Sequence, residues 1–242
     1  MQILSPEQVL AVWEAGRHQH ELDRALTLLA AGSPELSRGE LAALSIGERD
    51  ARLLRLRTLM LGPRAAGFAE CPECAVGVEL PIDTAAFEQA REPAAEAREI
   101  EVDGTRIRFR LPTSRDLAEA VAAPNEREGL HRLIECCVLD VRGDDASDLR
   151  HWRPELVEKL SRAMLEADPQ AEITLALECP GCGHRWEMFF EIAVFFWKEL
   201  AAQARRLLRE IDVLARAYGW SEREILSLPA RRRQSYLELV TE

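Results

Sequence analysis

Apolar positions recur at helical spacing at both ends of the chain and alternate at a spacing of two in segments between. Near the start, Ser5-Pro6-Glu7-Gln8 joins an N-cap serine, a proline at the first helical position and a glutamine placed for a capping box. Val9, Leu10, Val12 and Trp13 continue the helical pattern to Gly16. Leu22, Ala25, Leu26 and Leu29 predict a second amphipathic helix. Gly32-Ser33-Pro34 breaks it, and Ser33 with Pro34 predicts the start of a short third helix. Ser45-Ile46-Gly47-Glu48 opens a fourth, with Leu53, Leu56 and Met60 apolar and Arg49, Arg52 and Arg55 on other faces, until Gly62-Pro63.

The pattern then changes. Phe68, Val76, Val78 and Leu80 predict strand, turn and strand across residues 65–83. Residues 84–97, rich in Ala and Glu, read as a linker or short helix. Residues 99–109 alternate around Asp103-Gly104, a strong hairpin signal. Helices are predicted over about 115–123, 126–139 and 154–166, with a polar loop at 143–148. Ile173, Leu175 and Leu177, then Trp186, Met188 and Phe190, repeat the strand–turn–strand pattern over 172–191. One long helix is predicted over 192–218, a short capped one from Ser221 to Pro229, and a last one to the C-terminus.

Both turns between alternating segments carry the same chemistry: Cys71-Pro72-Glu73-Cys74 and Cys179-Pro180-Gly181-Cys182. Two residues between cysteines let both sulfurs of a tight turn face one ion, and two such turns supply the four ligands of a tetrahedral zinc site. The spacing is unusual, since 104 residues separate Cys74 from Cys179, against about 15–20 in a compact finger. One shared Zn2+ would make the intervening segment an insertion hung on a metal clasp. Iron fits the same four ligands, and His184 could replace one cysteine. Four thiolates leave no open position, so a structural metal is expected rather than a catalytic one. Cys136 and Cys137 sit in a helical pattern beside Leu133, Ile134 and Val138 and read as small buried hydrophobes.

The expected fold is therefore α+β and mostly helical: an N-terminal helical region (1–64), a split zinc ribbon of two C-P-x-C hairpins (65–83 plus 172–191), an inserted hairpin-and-helix region (84–171) and C-terminal helices (192–242), the long one packing on the ribbon.

Composition narrows the function. The 242 residues, 47% of them hydrophobic, can bury a substantial core, and the net charge of −11 argues against a nucleic-acid binder. Arg231-Arg232-Arg233 is the one basic run that could grip phosphate. The start of the chain has no basic n-region or long apolar run, and the longest apolar cluster, 192–197, is too short to span a bilayer. A soluble, cytoplasmic protein with no membrane partner is expected, and its cysteines then favour metal over disulfides. The five histidines have no convincing acid–base or ligand partners, and the carboxylates read as solvated faces. No P-loop, dinucleotide fingerprint, G-x-S-x-G or H-E-x-x-H occurs, so no enzyme is expected. The cluster of Phe189, Phe190, Phe195, Phe196 and Trp197 reads mainly as core, any exposed part being a partner surface.

The order of motifs resembles a known family. The runs Leu22-Asp23-Arg24-Ala25-Leu26-Thr27-Leu28-Leu29 and Ser45-Ile46-Gly47-Glu48-Arg49-Asp50-Ala51-Arg52-Leu53-Leu54 precede the first knuckle. Arg110-Leu111-Pro112-Thr113-Ser114-Arg115-Asp116-Leu117 and Cys179-Pro180-Gly181-Cys182-Gly183-His184-Arg185-Trp186 follow, and the segment 217–229 comes near the end. Together they are similar to the T-even-phage-type baseplate hub assembly proteins of contractile phages and phage-tail-like contractile injection systems. The resemblance implies a non-enzymatic chaperone or minor component that binds hub or baseplate proteins in the bacterial host cytoplasm, on an assembling particle. The alternative is a zinc-ribbon adaptor that binds nucleic acid or a transcription complex.

Overall fold

The computed structural model describes residues 1–87, 97–143 and 152–241. In chain order its elements are α1 (Pro6–Gly16), α2 (Glu21–Gly32), α3 (Arg38–Ala42), α4 (Ile46–Leu61), β1 (Arg64–Glu70), β2 (Gly77–Asp83), β3 (Arg98–Val102), β4 (Thr105–Phe109), α5 (Ser114–Val121) and α6 (Glu126–Cys137). They continue with β5 (Val138–Arg142), α7 (Pro154–Ala167), β6 (Thr174–Glu178), β7 (Arg185–Phe189), α8 (Ile192–Tyr218), α9 (Glu222–Ser227) and α10 (Ala230–Thr241). The arrangement is α+β. Among the described residues, three small antiparallel sheets pair β1 with β2, β3 with β4 and β5, and β6 with β7. Most of the predicted linker 84–97 and nearly all of the predicted loop 143–148 lie outside the described residues; Thr84–Phe87 forms one 3-10 turn.

The chain divides into two compact units, residues 1–34 with 193–242, and residues 35–192. The first is helical. Its N-terminal helix forms as the sequence predicts: Ser5 accepts from the Gln8 N–H at 3.2 Å and the Gln8 side chain accepts from the Ser5 N–H at 2.9 Å. The buried side chains Val9, Leu28, Leu29, Phe196, Leu200 and Leu214 come from α1, α2 and α8. The Trp197 indole lies directly on Gly16, where a Cβ would fall 2.5 Å from the ring. Arg24 covers the same indole, its guanidinium 5.1 Å from the ring centre.

The second unit holds every strand of the described residues and, with 20 basic against 31 acidic residues, the whole of the net charge. Its core joins Val102, Ile107 and Phe109 of the three-stranded sheet to Ile134 of α6, Trp152, and Leu156 and Leu160 of α7. Asp103 and Gly104, with φ of 49° and 84°, make the two-residue turn between β3 and β4; both central residues of a type I′ turn need positive φ.

Three expectations are corrected here. The helix predicted to reach about residue 139 ends at Cys137, and Val138–Arg142 is a third strand. Val138 pairs with Phe109 and Val141 with Ile107, so the open edge of β4 is satisfied and both valines pack on the core. The short third helix starts not at Ser33 but after Ser37, whose hydroxyl and N–H exchange hydrogen bonds with Glu40 in a full capping box. Arg49, expected off the apolar face of α4, is buried: its guanidinium donates to Asp50 at 2.7 and 3.1 Å and to Ser114 Oγ at 3.4 Å. Burial pushes the Asp50 carboxyl up, although the Arg49 charge opposes it.

The start of α4 is a junction. Ile46 N–H donates to the Pro112 carbonyl at 3.0 Å, Ser45 bridges to Thr113, and Gly47 N–H donates to Asp168 Oδ2 at 2.8 Å. Runs 45–54 and 110–117, far apart in the chain, thus meet. Close by in sequence, Arg110 grips Asp116 with Nη1 and Nη2 at 2.6 and 2.7 Å, while Thr113 donates to the same carboxylate from its N–H and hydroxyl, each at 2.8 Å. Burial of Asp116 works against its charge, but the Arg110 and Thr113 hydrogen bonds outweigh it and hold the carboxyl below its usual range.

Candidate metal centre

The two knuckles are built alike. Each closes an antiparallel hairpin: β1–β2 runs in register from Arg64 opposite Asp83 to Glu70 opposite Gly77, and β6–β7 from Thr174 opposite Phe189 to Glu178 opposite Arg185. In the first, Cys71 N–H donates to the Val76 carbonyl at 3.0 Å and Ala75 N–H to the Cys71 carbonyl at 2.9 Å. In the second, Cys179 N–H donates to the His184 carbonyl at 2.8 Å and Gly183 N–H to the Cys179 carbonyl at 2.9 Å. The residue after each second cysteine is left-handed, φ 56° at Ala75 and 73° at Gly183. That turn lifts both sulfurs of a knuckle to one side. Glycine adopts it freely; alanine does so at a cost of about 1–2 kcal/mol.

The knuckles face each other. The Sγ atoms of Cys71, Cys74, Cys179 and Cys182 all lie within 4.8 Å of one another. Cys71 Sγ is 3.7 Å from Cys182 Sγ, and Cys74 Sγ is 3.5 Å from Cys179 Sγ. A disulfide needs about 2.0 Å, and all four are free thiols. A tetrahedron with sulfur about 2.3 Å from its centre has edges of about 3.8 Å, close to both contacts. The donor set and spacing therefore fit a four-coordinate metal ion, and with four sulfurs the shell would have no place for water or substrate.

The environment differs between ligand positions. The first cysteine of each knuckle is buried and the second exposed. The N–H of Cys182, then that of Gly181, 3.4 Å from the sulfur, bring the Cys179 thiol down to about 6, against the opposing effect of burial. The His184 N–H lowers the Cys182 thiol, but Cys74, partial desolvation beside its neighbours and the other thiols together push it up to about 12. Four crowded sulfurs cannot all ionise without a cation among them.

Other candidates fall outside the cluster. His184 is not among its ligands; its ring stacks on Trp186, centroids 6.0 Å apart. Cys137 is buried in α6, where desolvation pushes its thiol up to about 12, as expected of a small hydrophobe. The basic run splits: Arg231 and Arg232 are exposed, but Arg233 is buried, donating to Glu210 at 3.1 Å and to the Leu228 carbonyl at 2.7 Å. Of the aromatic run, Phe190 and Phe196 are core, while Phe189 stands 64% exposed. The carboxylates of Asp50, Asp116 and Asp168, read as solvated, are buried structural acceptors; only the Thr113–Asp116 capping spacing could have flagged one of them. Among the described residues no helix is long and apolar enough to cross a membrane.

A family model described as T4 bacteriophage base plate protein matches residues 18–197. The match takes in both knuckles and every run that carries the resemblance except 217–229. No curated protein and no solved structure matches the chain. With about three-quarters of its length covered, the chain belongs to the T4 bacteriophage base plate protein family.

Proposed function

We propose that the chain is a non-enzymatic assembly chaperone or minor component of a contractile phage-tail-like baseplate, and that Cys71, Cys74, Cys179 and Cys182 hold one structural Zn2+ at the centre of a split ribbon, residues 65–83 plus 172–191. The observation that carries the metal reading is the pair of sulfur contacts at 3.5 and 3.7 Å, both of which join opposite knuckles. Bound there, zinc supplies a cross-link between residues 71 and 182 and no reactive position. The chain's own residues do the rest: the left-handed turns at Ala75 and Gly183 aim the sulfurs, and the Gly181 N–H supports the Cys179 thiolate. Family membership supports the role in a baseplate, with hub or baseplate proteins as partners and the host cytoplasm as the place of assembly. Binding to such proteins is the action expected of a chain whose metal is enclosed.

The test has two arms. Elemental analysis of the chain purified without a metal-binding tag should give one zinc per chain, and X-ray absorption should give four sulfur neighbours at about 2.3 Å. Iron, a nitrogen neighbour or no metal contradicts the site. Co-expression with baseplate proteins of the same gene cluster should yield a complex with at least one of them; free chain in every case contradicts the assembly role.

A further inference from the structure

The outer face of the β1–β2 hairpin sets an exposed aromatic ring beside two exposed acids. Phe68 is 65% exposed, the most exposed of the chain's described large apolar side chains. Its ring does not hang free. A Cβ on Gly77 would fall 2.5 Å from Cζ and 2.7 Å from Cε2, so the tip of the phenyl rests against the Gly77 backbone while most of the side chain stays open to solvent. Alternate residues of a strand share a face. Phe68 stands opposite Glu79, and Glu70 opposite Gly77, so the ring is bracketed on one face by Glu79 across the hairpin and Glu70 along the strand. The reverse face holds the buried Ala69, Val78, Leu80 and Ile82. Of the other exposed strand acids, Glu178 pairs with Arg185 at 2.9 Å and Glu99 with Arg106 at 3.2 Å, while Asp83 and Glu187 stand apart from the Phe68 ring, at the far end of β2 and on β7. Glu70 and Glu79 have no ion pair among the described residues.

We propose that this face docks an arginine- or lysine-bearing segment of a partner protein, the cation lying on the exposed Phe68 ring between Glu70 and Glu79. An aromatic face attracts a cation through its quadrupole, and two carboxylates beside the ring complete the charge. The net charge of −11 confined to residues 35–192 draws basic segments toward the unit. Nucleic acid, itself anionic, is repelled by the same field. The proposal rests on the reading of the chain as a protein-binding assembly factor and names the chemistry of what it binds.

Three labelled nonapeptides of Gly and Ser, carrying three arginines, three glutamates or no charge, are titrated into the zinc-loaded full chain by fluorescence anisotropy. Only the arginine peptide should bind, with affinity falling as salt rises. Phe68→Ala should weaken it roughly three- to fivefold, Phe68→Tyr should preserve it, and Glu79→Gln should weaken it and flatten the salt dependence. Phe189→Ala, equally exposed but with Glu187 alone along its strand face and Thr174 opposite in place of a second acid, should leave binding unchanged. Binding by all three peptides, no binding by the arginine peptide, or equal binding by Phe68→Ala or Phe68→Leu overturns the docking face. Zinc content and melting temperature are read on the same samples. Full zinc with no arginine binding removes the docking face alone, and arginine binding by a chain without zinc removes the metal reading alone.

Discussion

The carboxylate of Asp168, at the end of α7, accepts the Gly47 N–H in the first turn of α4 across 121 positions of sequence. The first N–H groups of a helix have no partner within it, and this buried one is capped by a distant side chain rather than by water. The contact also sets a negative charge at the positive end of the helix dipole. Asp168→Ala should cost about 1–3 kcal/mol, the scale of a buried donor left unpaired. Chemical denaturation compares it with the wild type; a loss under a few tenths of a kcal/mol would show that the cap carries nothing.

Removing the metal should loosen the second unit. Chelation, or Cys179→Ser, is expected to lower stability by several kcal/mol, whereas Cys136→Ser, outside the cluster, should leave zinc content unchanged. Calorimetry with matched elemental analysis separates the two. A melting temperature indifferent to chelation would remove the clasp.

Ala75 takes a left-handed conformation that Gly183 takes in the other knuckle. Ala75→Gly should therefore stabilise the loaded chain by about 1 kcal/mol, net of the extra freedom glycine has when unfolded. Gly183→Ala should destabilise it by a similar amount, through backbone strain alone, since a Cβ there meets no atom within 4 Å. Opposite signs in the two melting shifts are the expected result.

Asp116 links stability to acid. Its folded carboxyl is held below the unfolded value of about 4 by Arg110 and Thr113. The stabilisation is present above that unfolded value and is lost as pH falls through the folded one. Asp116→Asn should cost about 1–3 kcal/mol at neutral pH, and the gap from wild type should narrow in acid below about pH 4. A gap that holds constant down to pH 2 would contradict the linkage.

In the helical unit, Gly16→Ala places a methyl 2.5 Å from the Trp197 ring. The indole must shift, at about 1–3 kcal/mol for an overpacked contact. Tryptophan fluorescence should change along with the melting temperature.

Local chemistry carried much of this molecule. The Ser5–Gln8 capping box, the Asp103-Gly104 turn, the limits of the long helix Ile192–Tyr218 and the C-P-x-C turns all depend on residues a few positions apart. Their hydrogen bonds and φ values act over that range, so they are legible in a string of residues. Helical spacing likewise exposed the apolar stripes of α1, α2 and α4. Partners far along the chain leave no such trace. Val138–Arg142 continues a helical pattern and becomes a strand because β4 offers it an edge. Arg49 and Asp168 look like ordinary surface charges and are buried because Ser114 and Gly47 arrive from elsewhere. The paired knuckles sit between these cases: each two-sulfur jaw is a local turn, while the closing of one jaw on the other, to 3.5 and 3.7 Å, depends on packing that brings together hairpins more than a hundred residues apart.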